Sequence, residues 1–158
     1  MKRFKLYIIV GLLFGIFDFH YQQFIPKVIS SHKILFLGIW GIWLMPIIPI
    51  ALYETKQSGS RLKSSFACML TWSISIFSYY FLVPIKLIFI GQLSRPELYI
   101  TNYVSQFYWS NLKSLIQRDV FVSTFEWLDV AIIGGGIIGF VVSSVYLSSV
   151  NFSFKKQL

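Results

Sequence analysis

Three long stretches without a charged residue constrain this sequence more than any other feature. They cover residues 34–53, 66–85 and 130–150, and each is 20 or 21 residues long and mostly apolar. An α-helix rises about 1.5 Å per residue, so about 20 apolar residues are enough to cross a hydrocarbon core about 30 Å thick. Each stretch therefore predicts a transmembrane helix.

Residues 6–24 form a fourth candidate with a polar end. The segment is apolar as far as Phe17 and then carries Asp18 and His20. Basic residues at 2, 3 and 5 precede its apolar part, and the two together are similar to a signal peptide, but a cleavage site needs small residues after the apolar part. Large and polar residues follow instead at 18–23, so we expect the first helix to be retained.

The composition agrees with a membrane protein. Charged residues make up 13% of the 158 residues and hydrophobic residues 56%, whereas a soluble domain has about 25% charged residues. A chain so rich in apolar residues does not stay solvated as a disordered protein either. We expect an all-α integral membrane protein with four transmembrane helices, folded as a single domain over residues 1–158.

The distribution of basic residues predicts the orientation of the chain. With both termini on one side, that side holds eight basic residues and one acid, and the other side holds six basic residues and five acids. Loops rich in Lys and Arg stay in the cytoplasm, so we expect cytoplasmic N- and C-termini in a bacterial plasma membrane. The basic residues lie in short loops and termini that suit anionic headgroups, so the lipid bilayer is an expected partner and nucleic acid is not.

The segment between the third and fourth predicted helices is unusually long. Residues 92–129 comprise 38 residues, and a connection of this length usually has structure of its own. Residues 94–97 match a helix-capping pattern, Ser-x-x-Glu, and apolar residues then recur at helical spacing. We expect an outer amphipathic helical segment over residues 94–122. A second Ser-x-x-Glu pattern, at Ser123 and Glu126, predicts the start of the last helix.

Small residues spaced four apart predict close helix packing. Two such sets occur, one in the first predicted helix and one in the last, and their members are Gly11, Gly15, Gly135, Gly139 and Ser143. Small residues at this spacing let two helix backbones approach closely in lipid.

Two prolines predict a distortion in the second helix. Pro46 and Pro49 each remove a backbone hydrogen bond and crowd the preceding turn, so we expect a kink there.

Ionisable residues collect at the predicted outer ends of the helices, and they are Asp18, His20, Lys86, Glu126 and Asp129. An acid in or near hydrocarbon is unfavourable, so Asp18 is the first candidate for a functional residue, with Lys86 as its predicted ion-pair partner. Charges are also usual at helix ends, and the helix macrodipole favours acids such as Glu126 and Asp129 at an N-terminus. We therefore rank an interfacial structural role above a catalytic or ion site.

Motifs for metal binding or nucleophilic catalysis are lacking. The chain has two histidines, His20 and His32, and a single cysteine, Cys68, whereas zinc usually takes three or four protein ligands. We expect neither a metal site nor a cofactor.

The packing signals favour a non-enzymatic subunit, accessory or partner-binding component of a membrane assembly, with a role in transport as one form of it. A transporting role would require oligomerisation through the glycine face of the first helix or that of the last helix, so a second copy or other membrane protein subunits are the expected protein partners.

An enzyme is the alternative. A membrane-embedded enzyme would act on a lipid-linked or surface substrate, with Asp18, His20, Glu126 and Asp129 as acid, base or ligand at the outer interface. That function requires these side chains to meet in one pocket.

Overall fold

The computed structural model describes residues 2–90 and 107–155, and within these ranges the chain is helical and contains no strand. In chain order the elements are α1 (Lys2–Val28), α2 (His32–Gly41), α3 (Leu44–Ser58), α4 (Arg61–Ile90), α5 (Tyr108–Leu115), a π-helical segment (Ile116–Val122) and α6 (Ser123–Lys155). The first capping pattern, at residues 94–97, and the start of the outer amphipathic segment, at 94–106, lie outside the described residues.

Within the described ranges, four helical runs are long and apolar enough to cross a membrane. They are Arg3–Val28, His32–Ser58, Arg61–Phe89 and Tyr108–Val150, and each contains one of the four segments predicted from the sequence. The all-helical class and the number of helical runs of spanning length are therefore confirmed.

Helix α4 occupies the centre of the bundle. It contacts α1, α3 and α6, and α3 also contacts α6. The most apolar part of α4 is 44% buried within the protein, against 22–33% for the other three runs. Helices α1 and α6 are therefore positioned mainly by packing on α4, whereas α3 packs on both α4 and α6.

Helix α1 approaches α4 closely through two glycines. A Cβ atom added to Gly11 would lie 2.7 Å from the backbone oxygen of Thr71, and one added to Gly15 would lie 2.6 Å from the Cβ atom of Ser78. Carbon atoms pack optimally at about 3.5–4.0 Å, so neither position has room for a side chain.

Helix α6 also approaches α4 closely through two glycines, on another side of α4. An added Cβ atom would lie 3.0 Å from Met69 Cα at Gly135 and 2.7 Å from Ser65 Cα at Gly139. One turn further on, Ser143 is fully buried. Both glycine faces are thus covered by α4 of the same chain, and they do not provide the oligomer interface expected from the sequence.

A buried serine connects three helices beside this contact. The Ser64 hydroxyl of α4 lies 3.0 Å from the Ala51 oxygen of α3 and 3.2 Å from the Gly139 oxygen of α6. Its oxygen can donate one proton to these two acceptors, so the polar group is satisfied where the three backbones meet.

The second apolar run is interrupted between α2 and α3, at Ile42 and Trp43. Pro46 lacks the N–H group that would bond to the Ile42 oxygen four residues earlier. That oxygen accepts the N–H of Met45 at 3.0 Å instead. Helix α3 then continues through Pro49. The distortion therefore lies before both prolines, near the middle of the run.

The last helical run begins earlier than the sequence predicts. Helix α5, the π-helical segment and α6 follow one another without a break. Ser123, the predicted N-cap, has helical angles of φ −61° and ψ −32°, whereas an N-cap residue is extended. The prediction of a capped helix start at Ser123 is wrong, because the backbone before it is already helical.

The two ends of the bundle differ in chemistry. One end contains the start of α1, the α3–α4 turn and the last turns of α6, and we call it the basic end. It carries Arg3, Lys5, Lys56, Arg61 and Lys63. At the opposite end, α5 packs on α1 and α4 in an apolar cluster formed by Phe19, Val83, Leu87, Tyr108, Leu112 and Leu115.

Replacement of Gly15 by alanine should destabilise the bundle by about 1–3 kcal/mol, because the new methyl group meets the α4 backbone and Ser78. Unfolding in mixed dodecyl maltoside and dodecyl sulfate micelles measures the change. Gly41→Ala is the matched control, since an added Cβ atom there has no neighbour within 4 Å. The control should stay within about 1 kcal/mol of the original protein. Equal effects of the two changes would contradict close packing at Gly15.

Candidate functional site

A cavity of about 150 Å³ lies toward the end opposite the basic end. Residues of α1, α2, α4, α6 and the α2–α3 break line it, and they are Gln22, Ile39, Trp40, Trp43, Ile76, Tyr79, Tyr80 and Trp127. Five of these eight side chains are aromatic. We call this space the aromatic cavity.

Ring contacts between helices hold the walls of the aromatic cavity. The Trp40 and Trp127 rings lie 5.4 Å apart between their centroids and join α2 to α6. Trp43 stacks on Trp72 at 5.5 Å and meets Phe14 edge-on at 5.4 Å. Aromatic pairs at these separations contribute about 0.5–1.5 kcal/mol beyond the area they bury, so these contacts hold the indole rings in place.

A chain of hydrogen bonds leads from the aromatic cavity to a buried carboxyl group. The Tyr79 hydroxyl donates to Gln22 Oε1 at 3.2 Å, and Gln22 Nε2 donates to Asp18 Oδ2 at 2.8 Å. The Asp18 side chain is fully buried. Asp18 and Gln22 are one turn apart on α1, so they project from the same helix face toward α4. The acid singled out from the sequence therefore lies one residue behind the cavity wall.

Lys86 follows Pro84 on α4 without a break in the helix. Its ammonium group donates to Gln23 Oε1 and lies 5.6 Å from the centroid of the Phe19 ring. The Asp18 and Lys86 side chains thus have different glutamine partners on α1. Neither of these contacts is the ion pair predicted between them.

The other predicted acid–base residues lie on the outside of the bundle. His20, Glu126 and Asp129 are exposed, whereas Asp18 is buried. Residues two positions apart on an α-helix differ by about 200° in direction around the helix axis. His20 must therefore point away from α4 when Asp18 faces it. Among residues 2–90 and 107–155, no group of three His, Cys, Asp or Glu residues could hold a metal ion. The structure does not bring the four candidates into one pocket.

A second buried carboxyl group, at the basic end, was not singled out from the sequence. Glu54 of α3 is 5% exposed and accepts hydrogen bonds from two residues of α1. Arg3 Nη1 lies 3.0 Å from Oε1 and 3.2 Å from Oε2, and the Tyr7 hydroxyl donates to Oε2. The arginine and the tyrosine together compensate the charge of the buried carboxylate.

One feature of the sequence pointed to the cluster of Glu54, Arg3 and Tyr7. Glu54 is the single acid among the residues assigned to the cytoplasmic side, where eight basic residues surround it. The sequence could not say which basic residue it pairs with, because Arg3 is 51 positions away. The aromatic cavity had no comparable signal, since tryptophan and tyrosine are common at the ends of membrane helices for other reasons.

No protein-family model matches the chain, and neither a curated protein nor a solved structure matches it.

Replacement of Tyr7 by phenylalanine should lower the free energy of unfolding by about 1–3 kcal/mol, because the buried Glu54 carboxylate loses a donor. Unfolding in mixed micelles measures this change. Tyr21→Phe is the matched control on the same helix, since the Tyr21 hydroxyl makes only a long contact of 3.4 Å with the Gly38 oxygen. A control as destabilised as Tyr7→Phe would contradict the role assigned to Tyr7.

Proposed function

We propose that the chain is a non-enzymatic, multi-pass protein of a bacterial plasma membrane, with both termini in the cytoplasm. It serves as a partner-binding component of a membrane assembly with a role in transport. The aromatic cavity, on the outer side in this orientation, takes up the small molecule that the assembly carries. The single observation that carries this role is the lining of one cavity by side chains of four helices.

The outer surface of the bundle supports insertion into lipid. Large apolar side chains point outward along all the long helices, among them Leu13, Phe81, Ile133 and Val145, which are 63–69% exposed. Soluble helices place polar residues on this face, whereas lipid-facing helices place apolar residues there. The charged residues of the basic end then lie at the cytoplasmic headgroups.

The chemistry of the aromatic cavity supports a small organic cation as its ligand. A cavity of about 150 Å³ accommodates a molecule of the size of benzene. The faces of tryptophan and tyrosine rings carry partial negative charge and attract ammonium groups at about 0.5–2 kcal/mol for each contact. A cation in the cavity would also lie one hydrogen-bonded glutamine away from the Asp18 carboxyl group.

A binding role fits the geometry better than the enzymatic alternative. An enzyme built on Asp18, His20, Glu126 and Asp129 requires a general base within hydrogen-bond reach of its partner. The structure buries the first of these and exposes the other three. The convergent polar and aromatic groups lie in the aromatic cavity instead.

Tetramethylammonium should stabilise the full-length protein in dodecyl maltoside. The rise in unfolding temperature with tetramethylammonium chloride, relative to sodium chloride at the same ionic strength, measures its binding. Trp127→Leu removes one aromatic wall and should weaken binding about fivefold, which is about 1 kcal/mol. Trp109→Leu is the matched control, because Trp109 is 72% exposed and does not line the cavity. No stabilisation of the original protein, or equal losses in both variants, would contradict a cation site.

The proposed assembly can be tested separately in native membranes. Chemical crosslinking followed by blue-native electrophoresis should show the chain in a species larger than its detergent-bound monomer. The exposed apolar faces of α2 and α6 leave room for neighbours, whereas the glycine faces are covered by α4. A strictly monomeric species without crosslinked partners would contradict the assembly and leave the ligand measurement unaffected.

A further inference from the structure

An open groove of about 390 Å³ lies at the basic end, between α1, α3 and α4. We call it the basic groove. Its rim carries Arg3 and Lys63, and its walls include Phe4, Leu62 and Phe66. The groove is separate from the aromatic cavity and shares no lining residue with it.

The two cations on the rim can still bind an anion. Arg3 contacts Glu54 through Nη1, which leaves the donors on Nη2 and Nε. Lys63 is exposed, and its ammonium group has no hydrogen-bond or ion-pair partner within the described part of the chain. The one acid in the groove, Glu54, is buried, and both its oxygens accept hydrogen bonds from α1.

The pairing with Glu54 also positions the guanidinium group. A long arginine side chain on a surface usually loses rotamer freedom when it binds a ligand. Here Arg3 Nη1 already donates to the two carboxylate oxygens of Glu54, at 3.0 and 3.2 Å. Guanidinium groups bind phosphate through paired hydrogen bonds, and a lysine nearby adds a point charge. The rim is therefore suited to a phosphate group.

Three apolar side chains of α1 and α4 line the groove beside the rim and are exposed. Phe4 is 48% exposed, Leu62 75% and Phe66 59%. Leu62 and Phe66 are one turn apart on α4, so they form a continuous apolar strip that begins next to Lys63. A ligand with a phosphate at one end and a hydrocarbon chain at the other would match the order of groups in the groove.

We propose that the basic groove binds one anionic phospholipid of the cytoplasmic leaflet. Its phosphate lies between Arg3 and Lys63, and the upper part of an acyl chain lies along Leu62 and Phe66. Basic pockets between helices at the cytoplasmic side of a membrane bind lipid headgroups in this way. The inference rests on the membrane insertion proposed above, but it does not depend on a ligand in the aromatic cavity.

Native mass spectrometry of the full-length protein released from dodecyl maltoside tests this site. With phosphatidylglycerol and phosphatidylcholine at equal concentrations, the chain should retain one phosphatidylglycerol in preference to phosphatidylcholine. Lys63→Gln should lower retention of phosphatidylglycerol about fivefold. Lys5→Gln is the matched control, because Lys5 is an exposed cation of the same end that does not line the groove. It should remain within about twofold of the original protein, as expected for a charge that acts only through surface potential.

Each other outcome would overturn the lipid site. Equal retention of the two lipids would show that the rim does not recognise charge. Equal losses in Lys63→Gln and Lys5→Gln would show a diffuse surface effect. Displacement of the lipid by millimolar inorganic phosphate would assign the rim to free phosphate, since an acyl chain on Leu62 and Phe66 should keep the lipid bound.

A labelling experiment separates failure of this site from failure of membrane insertion. In a Cys68→Ala background and intact cells, an impermeant maleimide should label Ser30→Cys. It should label Ser60→Cys only after the membrane is opened. This labelling pattern with a negative lipid result would overturn the lipid site alone. Labelling of both positions in intact cells would overturn the proposed membrane placement.

Discussion

The close contact of two glycine-bearing helices with α4 is the interaction on which the rest of the structure depends. Gly11 and Gly15 bring α1 against one side of α4, and Gly135 and Gly139 bring α6 against another. At these distances the backbones themselves are in contact, and dispersion forces act over long stretches of chain. The aromatic cavity and the basic groove both follow from this packing, because α4 provides a wall of each.

Among the residues that the structure describes, each end of the bundle buries one carboxyl group, and the two groups have different hydrogen-bond partners. Glu54 at the basic end receives donors from Arg3 and Tyr7, so an ionic and a neutral group from α1 compensate it. Asp18 accepts a hydrogen bond from the side-chain amide of Gln22 on its own helix. The oxygen of the same amide accepts one from Tyr79 in the cavity wall. A buried charge is unfavourable unless it is paired or hydrogen-bonded. The first arrangement ties two helices together, whereas the second connects a buried acid to a space that a ligand can enter.

Sequence reasoning succeeded for properties that depend on neighbouring residues in the chain. The four apolar runs and the all-helical class follow from length and hydropathy alone, and the structure confirms them. It failed at Ser123, where a local capping pattern lies inside a helix that has already started. The alternative enzyme hypothesis required Asp18 and His20 to meet in one pocket, and the structure buries the first and exposes the second. Depth gives the height of a residue along the bundle but not its direction around the helix axis.

The sequence by itself therefore determined which segments are helical, how many are long enough to cross a membrane, and where the net charge lies. Only the tertiary structure decided which faces meet, because that depends on residues far apart in the chain. The Tyr7 and Glu54 pair spans 47 positions, and the lining of the aromatic cavity extends from Gln22 to Trp127. Helix faces become neighbours through packing on α4, and no local pattern of hydropathy or spacing specifies that arrangement.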